Sequence, residues 1–275
     1  MAIYATLNKL NKEVPLNDKN MTNQSNNQSK NDQLPQKGGG EGWNDFPLKN
    51  SRRLLGNMTA EERIKWAHKE FKSKFVLTTS FGIQSAVLLN MVHLLALKED
   101  PQIIWIDTGY LPTETYLYAE QLMQKLNLKI NIVQSQISPA RMEALHGRLW
   151  ETNSVKDLEK YHLIRKIKPL ETAFHEFDVS CWASGVRGGQ TNYRNSMTCL
   201  DLVRNRLSLR PLLNWTKKDI FYYMKENDLP QHPLFEKGYS TVGDWHSSRP
   251  DTLNQEGRNT RFGGLKEECG IHLPS

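Results

Sequence analysis

The pattern of apolar and polar positions divides the chain into a polar beginning and a long periodic remainder. Residues 1–42 are rich in Asn, Gln and Lys, are nearly free of aromatic residues, and end close to a run of glycines. Such a segment buries too little apolar surface to offset the entropy lost on ordering, so we expect a flexible N-terminal tail. From about Asn50, apolar residues recur with the periods of helices and strands.

The periodic part alternates between strand-like and helix-like segments. Thr59 and Glu62 have the spacing of a capping box ahead of a helix in "NMTAEERIKWAHKEF". Strand patterns at "FVLTTS", "IIWIDTG" and "KINIVQS" enclose helix patterns at "FGIQSAVLLNMVHLLALK" and "PTETYLYAEQLMQKLN", and the alternation continues through "TKKDIFYYMKEND". This order predicts an α/β fold, with an open, mostly parallel sheet and helices on both faces.

The domain organisation follows from where this periodicity begins and ends. Beyond "LPQHPLFEKGY" the regular pattern stops, and a polar stretch containing Gly and Arg runs towards the C-terminus. We therefore divide the chain into the N-terminal tail (1–42), an α/β nucleotide-binding domain (43–250) and a C-terminal segment (251–275).

Composition and charge narrow the classes of function. Three cysteines do not make a disulfide framework and no apolar leader opens the sequence, so we expect a cytoplasmic protein. No run approaches the roughly 18 apolar residues that a membrane span needs. The net charge of +6 is compatible with nucleic acid, an anionic membrane surface or a small polyanionic substrate. No basic motif with interleaved aromatic residues favours nucleic acid.

Two predicted strands end in turns that suit a nucleotide. Ligands of open α/β sheets lie beyond the carboxyl ends of the strands. There, in "TTSFGIQSAV", Gly82 lets the backbone approach a ligand, while Ser80 and Ser85 place hydroxyls beside a helix N-terminus. The next strand ends in "DTGYLPTETY", where Asp107 is either a ligand contact or a turn former. The first turn matches neither the Walker pattern nor GxGxxG, which argues against a kinase or a dehydrogenase.

One cysteine, Cys269, lies close to the C-terminus in "KEECGIHLPS". Free cysteines are usually buried and chain ends are usually solvated, so this position suggests either an incidental thiol or a reactive one. The glycines around it make the segment pliable. Glu267 and Glu268 disfavour the thiolate, the reactive form, so a reactive Cys269 requires nearby cations. The candidates are Lys266, His272, Arg258 and Arg261.

Six stretches occur in the order and approximate spacing of one known family. They are "TTSFGIQSAVLL", "WIDTGYLPTETY", "RKIKPL", "CWASGVRGGQTNYR", "LPQHPLFEKGYSTVGD" and "GGLKEECGIH", and the similarity covers nearly everything from about residue 58 to 273. The chain resembles the adenylyl-sulfate reductase family, whose signature around its catalytic cysteine is close to the last stretch. The resemblance implies an adenine-nucleotide α-hydrolase-like, Rossmann-like fold with a flexible C-terminal segment that carries the nucleophile.

The resemblance also separates two branches of that family. Relatives that reduce adenylyl sulfate itself hold a [4Fe–4S] cluster with four cysteines. In this chain those four positions are occupied by Tyr161, His162, Asp244 and Ser247. Three cysteines cannot supply four ligands, so we expect the branch without a cluster, which reduces 3′-phosphoadenylyl sulfate (PAPS), and no bound cofactor or metal. Cys181 and Cys199 are predicted to be packing residues, and His162 a structural one.

The resemblance implies a displacement at sulfur. The Cys269 thiolate attacks the sulfate sulfur of PAPS, adenosine 3′,5′-bisphosphate leaves, and thioredoxin or a similar dithiol releases sulfite from the S-sulfocysteine. It also implies a homodimer, with neither nucleic acid nor a membrane as partner. The predicted catalytic residues are Cys269 and His272, and the predicted substrate-binding residues are Ser80, Phe81, Gly82, Gln84, Ser85, Asp107, Gly109, Arg165, Lys166, Arg187, Arg194, Arg258 and Arg261.

Three other functions stay open at this point. A cluster-free reductase that accepts adenylyl sulfate would differ in its relative rates on the two nucleotides. A nucleotide-activating adenylyltransferase or pyrophosphatase of the same fold would share the SFG-type loop but not the ECGIH terminus. A non-catalytic module would bind nucleotide and release no sulfite.

Overall fold

Six strands form one sheet in the order β3-β2-β1-β4-β6-β5. The computed structural model describes residues 43–97 and 100–273, without the side chain of Asn44. The strands are β1 (Phe75–Thr79), β2 (Gln102–Asp107), β3 (Ile130–Gln134), β4 (Cys181–Ala183), β5 (Leu200–Val203) and β6 (Arg206–Leu209). Neighbouring strands are parallel except β5 and β6, so the predicted mostly parallel α/β sheet is confirmed.

Helices precede the sheet and connect its strands. They are α1 (Leu48–Gly56), α2 (Ala60–Phe71), α3 (Ser85–Leu95), α4 (Thr113–Lys125), α5 (Pro139–His146), α6 (Val155–His162), α7 (Lys168–Glu176), α8 (Asn192–Asn195), α9 (Lys217–Glu226) and α10 (Pro233–Glu236), with a π-helical turn, Leu163–Ile167, between α6 and α7. The predicted capping box starts α2. The Glu62 carboxylate accepts from the N–H of Thr59 at 2.8 Å, and the Thr59 hydroxyl accepts from the N–H of Glu62 at 3.2 Å.

Apolar side chains are buried on both faces of the sheet. The larger cluster joins Phe75 and Leu77 of β1 to Leu89 of α3, and the smaller one joins Val76 of β1 to Phe174 of α7. Because successive side chains of a strand point to opposite faces, β1 contributes to both clusters. Helices therefore cover both faces, as predicted.

The sequence did not predict β5, the edge strand that runs antiparallel to β6. The two strands form a hairpin whose turn residues, Arg204 and Asn205, have φ of 54° and 57°. Two consecutive residues with positive φ are typical of the tight turns that match the twist of a hairpin. Since neither residue is glycine, the usual sequence signal for such a turn was missing.

Two of the three cysteines belong to the core. Cys181 and Cys199 are free and buried, and burial raises the pKa of each thiol above its ordinary value. Their predicted role in packing is confirmed. The predicted N-terminal tail, residues 1–42, lies outside the described residues. Within the described ranges, no helix has the length and apolar character to cross a bilayer.

Candidate active site

The carboxyl ends of the central strands open into a cavity of about 220 Å³, which we call the inner cavity. The turn between β1 and α3, the ends of β2 and β4, and the C-terminal segment supply its walls. Most of the predicted site residues line it: Ser80, Gly82, Gln84, Ser85, Lys166, Arg194, Arg258, Arg261, Cys269 and His272. The fold thus brings the C-terminal cysteine to the predicted nucleotide loop.

The turn between β1 and α3 places a helix N-terminus at one side of the inner cavity. Ser80 is exposed, and α3 begins at Ser85, whose hydroxyl donates to the carbonyl of Gly82 at 2.8 Å. The N–H of Ser85 also donates to that carbonyl, at 3.0 Å. Helix N-termini favour anions such as phosphate through the helix dipole. Phe81 is instead buried against Trp105, with ring centroids 4.7 Å apart, and does not line the cavity.

Three predicted ligand residues hold the turn after β2 together and do not line the inner cavity. The Asp107 carboxylate accepts from the N–H of Gly109 at 2.8 Å and from the hydroxyl of Tyr116 at 2.7 Å. The Arg165 guanidinium is buried and donates to the carbonyl of Thr108, at 2.8 Å from Nε. The contacts of Asp107 fit the turn-forming role that the sequence left open.

Arg187 lies in the wall of an adjoining cavity of about 760 Å³, the outer cavity. The two cavities share Gln84 and Arg258, and the Arg187 guanidinium donates to the side-chain oxygen of Gln84. Burial, with the nearby charge of Arg194, lowers the pKa of Arg187 to about 10. Arg187 therefore remains a cation at neutral pH and faces the outer cavity.

Two arginines of the C-terminal segment give the inner cavity its positive charge. Burial lowers the pKa of Arg258 to about 10, so Arg258 stays cationic at neutral pH, and burial lowers the pKa of Arg261 as well. A guanidinium group in a protein keeps its proton at neutral pH. Arg261 is 4% exposed and has no hydrogen-bond or ion-pair partner among the residues that the structure describes. A buried, unpaired guanidinium beside a cavity is a strong candidate to bind an anion.

A buried ion pair fixes the third cation of the inner cavity. The Lys166 ammonium lies 2.6 Å from a carboxylate oxygen of Asp244, which is fully buried. The other oxygen of Asp244 accepts from the hydroxyl of Thr108 at 2.5 Å. Burial raises the pKa of Asp244, but Lys166, His246 and Thr108 together hold it below its ordinary value. Asp244 therefore stays ionised at neutral pH and holds the Lys166 ammonium at the cavity wall.

The surroundings of Cys269 answer the charge problem that the sequence raised. The Glu268 carboxylate is paired with Arg194, at 2.8 Å, and lies 3.5 Å from Nε of Arg258. Burial raises the pKa of Glu268, but these arginines and the Thr191 hydroxyl hold it below its ordinary value. The negative charge of Glu268 is thus balanced by these arginines, and Glu268 is not an unpaired charge beside the thiol.

Two of the four candidate cations do not supply positive charge to Cys269. The Lys266 ammonium pairs with Glu159 at 2.9 Å. Burial and four surrounding arginines hold the pKa of His272 well below its ordinary value, so its imidazole is neutral and stacks on Trp182. Arg258 and Arg261 are the two remaining candidates, and both interact electrostatically with Cys269.

The four positions that hold a cluster in relatives are all buried in this chain: Tyr161, His162, Asp244 and Ser247. Burial lowers the pKa of His162 to about 2, and its neutral ring packs between Tyr161 and Phe262. Within residues 43–97 and 100–273, no three His, Cys, Asp or Glu side chains are grouped to hold a metal ion. These positions form a packed aromatic and ionic cluster.

Comparison with known proteins decides the family. Residues 74–250 match the sequence profile of the phosphoadenosine phosphosulfate reductase domain. The chain belongs to this family.

It is 51% identical over 220 residues to the phosphoadenosine 5′-phosphosulfate reductase of Synechococcus sp., covering 80% of this chain and 94% of that protein. The Synechocystis sp. enzyme of the same name is 47% identical over 221 residues, 80% of this chain and 88% of that one. Membership confirms the family predicted from the sequence and makes the chain an oxidoreductase that acts on a sulfur group.

Solved structures confirm the predicted adenine-nucleotide α-hydrolase-like fold of this reductase-family chain. The PAPS reductase of Candida auris, solved as a phosphate complex, superposes with a TM-score of 0.65 at 24% identity, over 77% of this chain and 100% of that chain. An FMN adenylyltransferase of Candida glabrata superposes with a TM-score of 0.51 at 14% identity, over 77% and 70% of the two chains. The second likeness shows that the fold is shared with transferases.

Several polar residues of the inner cavity were missed by sequence reasoning. They are Thr78, Thr108, Ser184, Gln190, Ser240, Thr241 and Asp244. A signal existed for Ser184, because it follows β4 in the "CWASG" stretch, and the carboxyl ends of parallel strands meet at one sheet edge. Asp244 was marked only as a position that holds a cluster cysteine in relatives, and nothing in the sequence indicated its ion pair with Lys166, 78 positions away.

Proposed function

We propose that this chain reduces PAPS to sulfite and adenosine 3′,5′-bisphosphate, with Cys269 as the nucleophile. The observation that carries the proposal is the presence of Cys269 in the wall of one cavity with Lys166, Arg258 and Arg261. Family membership and relatives named for this activity support the same reaction. The experiment that tests it is an assay of sulfite release from PAPS and from adenylyl sulfate, with reduced thioredoxin present.

The chemistry is a transfer of the sulfonate group followed by a two-electron reduction. Cys269 thiolate attacks sulfur, a sulfur–sulfur bond forms, and the bond from sulfur to the bridging oxygen breaks. Adenosine 3′,5′-bisphosphate leaves with the electron pair of that bond. The dithiol then displaces sulfite from the S-sulfocysteine and is oxidised to a disulfide, which returns Cys269 to the thiol.

The charge of the site suits this substrate. PAPS carries several negative charges in a compact space, and the leaving group gains charge as the bond to sulfur breaks. We propose that Arg258, Arg261 and Lys166 bind the phosphosulfate oxygens and stabilise that charge. The α3 N-terminus, with Ser80 and Gly82, would hold phosphate oxygens at the opposite wall.

We propose for His272 a role as a neutral hydrogen-bond partner of the substrate. It lines the inner cavity, and its Nδ1 has no partner among the described residues. Because its pKa is held well below the ordinary value, it does not add positive charge. A neutral imidazole donates one N–H, which could bind a sulfonate oxygen.

The proposal also includes thioredoxin as the electron donor and a homodimeric assembly, which the family resemblance implies. It includes a cytoplasmic location, which was expected from the composition. The alternative in the same class is a reductase that accepts adenylyl sulfate. Equal rates of sulfite release from the two nucleotides would favour that alternative.

The variant Gly243→Ala tests whether Arg261 belongs to the proposed substrate pocket. An added Cβ at Gly243 would lie 2.2 Å from a guanidinium nitrogen of Arg261, so Gly243→Ala must displace that side chain. Losing one charged hydrogen bond costs about 1.5–3 kcal/mol, so the affinity for adenosine 3′,5′-bisphosphate or PAPS should fall by about ten- to hundred-fold. Calorimetric titration of both ligands measures the change. Gly56→Ala is the control, since its Cβ would meet nothing within 4 Å, and equal affinities in the two variants would remove Arg261 from the pocket.

Iron analysis tests the branch assignment. Because Tyr161, His162, Asp244 and Ser247 offer no thiolate, protein purified anaerobically is expected to contain neither iron nor acid-labile sulfide and to lack a visible chromophore. Stoichiometric iron and sulfide would contradict the assignment.

A further inference from the structure

The segment that carries Cys269 is held from one side by Glu268. The Arg194 guanidinium donates to both carboxylate oxygens of Glu268, from Nε and from Nη2, at 2.8 Å each. The hydroxyl of Thr191 adds a third hydrogen bond at 3.1 Å. All three residues are buried, so the two parallel bonds fix the peptide directly before Cys269.

The opposite side of Cys269 is held by Arg204. Its Nη2 donates to the carbonyl of Gly270 at 2.9 Å, and its Nε donates to the carbonyl of Ile271 at 3.4 Å. Arg204 occupies the β5–β6 turn and lies 3.8 Å from the carboxylate of Glu171, which orients it. Arg204 lines neither cavity, so its contacts are with the C-terminal segment rather than with a ligand.

Cys269 has to lie at a defined position for attack on sulfur. It lies in the wall of the inner cavity of about 220 Å³, which adjoins the outer cavity of about 760 Å³. Misplacement of a reacting group costs rate steeply. Contacts that fix the peptides on both sides of Cys269 therefore bear on the chemical step.

We propose that Arg204 and Glu268 form a clasp that docks the Cys269 segment for sulfonate transfer. Both are positioning residues: Arg204 acts on the peptides that follow Cys269, and Glu268 fixes the peptide before it while also lying 3.5 Å from Nε of Arg258. The inference rests on the proposed function of Cys269, and it adds two residues whose loss affects the chemical step more than binding.

The test uses the full chain and three variants. Arg204→Met removes the two hydrogen bonds but keeps an apolar stem, and Glu268→Gln removes the charge that holds Arg194. Glu267→Gln is the matched control, since it removes the same charge one residue earlier, where the carboxylate has no partner among the described residues. Urea unfolding confirms that each variant is folded.

Three measurements decide the outcome. In a single turnover at saturating PAPS without dithiol, formation of the S-sulfo adduct should slow by at least about tenfold in Arg204→Met and Glu268→Gln. Affinity for adenosine 3′,5′-bisphosphate should stay within about threefold of the parent in Arg204→Met, since Arg204 lines neither cavity. Hydrogen exchange in the peptide spanning 265–273 should become faster in both variants. Glu267→Gln should match the parent in all three, and Arg204→Lys, which keeps one donor, should recover part of the rate.

Two results would overturn the clasp. Adduct formation at the parent rate in both variants would show that the contacts do not position Cys269. A fall in affinity as large as the fall in rate would make Arg204 and Glu268 substrate contacts. If the parent enzyme forms no adduct but hydrogen exchange is faster in both variants, the docking role is upheld and the proposed function is overturned. The two failures are therefore distinguishable.

Discussion

Cys269→Ser is expected to abolish sulfite release while leaving nucleotide binding nearly unchanged. At neutral pH a serine hydroxyl is a far poorer nucleophile than a thiolate, and removal of a nucleophile in other enzymes costs about three or more orders of magnitude in turnover. Binding should persist, because the proposed contacts to phosphate come from the α3 N-terminus and from Lys166, Arg258 and Arg261. Sulfite release and the dissociation constant for adenosine 3′,5′-bisphosphate measure the two effects separately.

The other cysteines supply the control for this variant. Cys199→Ser alters a buried thiol whose Sγ lies 3.9 Å from the carbonyl of Arg52, away from the inner cavity. Its sulfite release should stay within a few-fold of the parent, since the change touches only packing. Turnover by Cys269→Ser would show that the nucleophile lies elsewhere.

Lys166→Met is expected to have the largest effect on stability. It leaves Asp244 fully buried without its cation, and breaking a buried ion pair from one side costs about 3–5 kcal/mol. Urea unfolding at neutral pH measures this loss. Lys125→Met is the control, because the Lys125 ammonium pairs with Asp228 and the two side chains are 37% and 99% exposed, and an exposed pair of this kind contributes little to stability. Equal losses in the two variants would contradict the assignment of a buried, stabilising pair.

The effect of Lys166→Met should also depend on pH. In the parent, the pKa of Asp244 lies below its ordinary value of 3.8, so its stabilisation is present above pH 3.8 and is lost as the pH falls further. Without Lys166, burial, which is the largest influence on the pKa of Asp244 and raises it, is less strongly opposed, so that pKa should rise and the stabilisation should weaken. The difference in unfolding free energy between parent and variant should therefore be largest near neutral pH and shrink as the pH falls below 3.8.

Features that depend on local sequence could be predicted. The capping box of Thr59 and Glu62 needs only residues three apart, and the alternation of strands and helices needs only the period of apolar positions. The sheet edge as the place of the site followed from topology. The ordered stretches of the family resemblance then added the C-terminal cysteine, which periodicity alone could not connect to that edge.

Side-chain roles that depend on distant partners could not be predicted. Asp107 and Arg165 have the chemistry of ligand residues, yet their hydrogen bonds go to the turn that surrounds them. Glu268 looked harmful to a thiolate, but Arg194, 74 positions away, neutralises it. Sequence gives the type of a polar side chain and not its partner, and in a buried site the partner decides the role.

Transfer of the sulfonate group from PAPS to the Cys269 thiolate can be observed directly. The intact mass of the reduced enzyme is measured after mixing with PAPS in the absence of any dithiol, followed by peptide mapping. We expect a gain of one SO₃ group per active subunit, located on Cys269 and removed when reduced thioredoxin is added. An adduct on Cys181 or Cys199, or sulfite release with no adduct on Cys269, would contradict it.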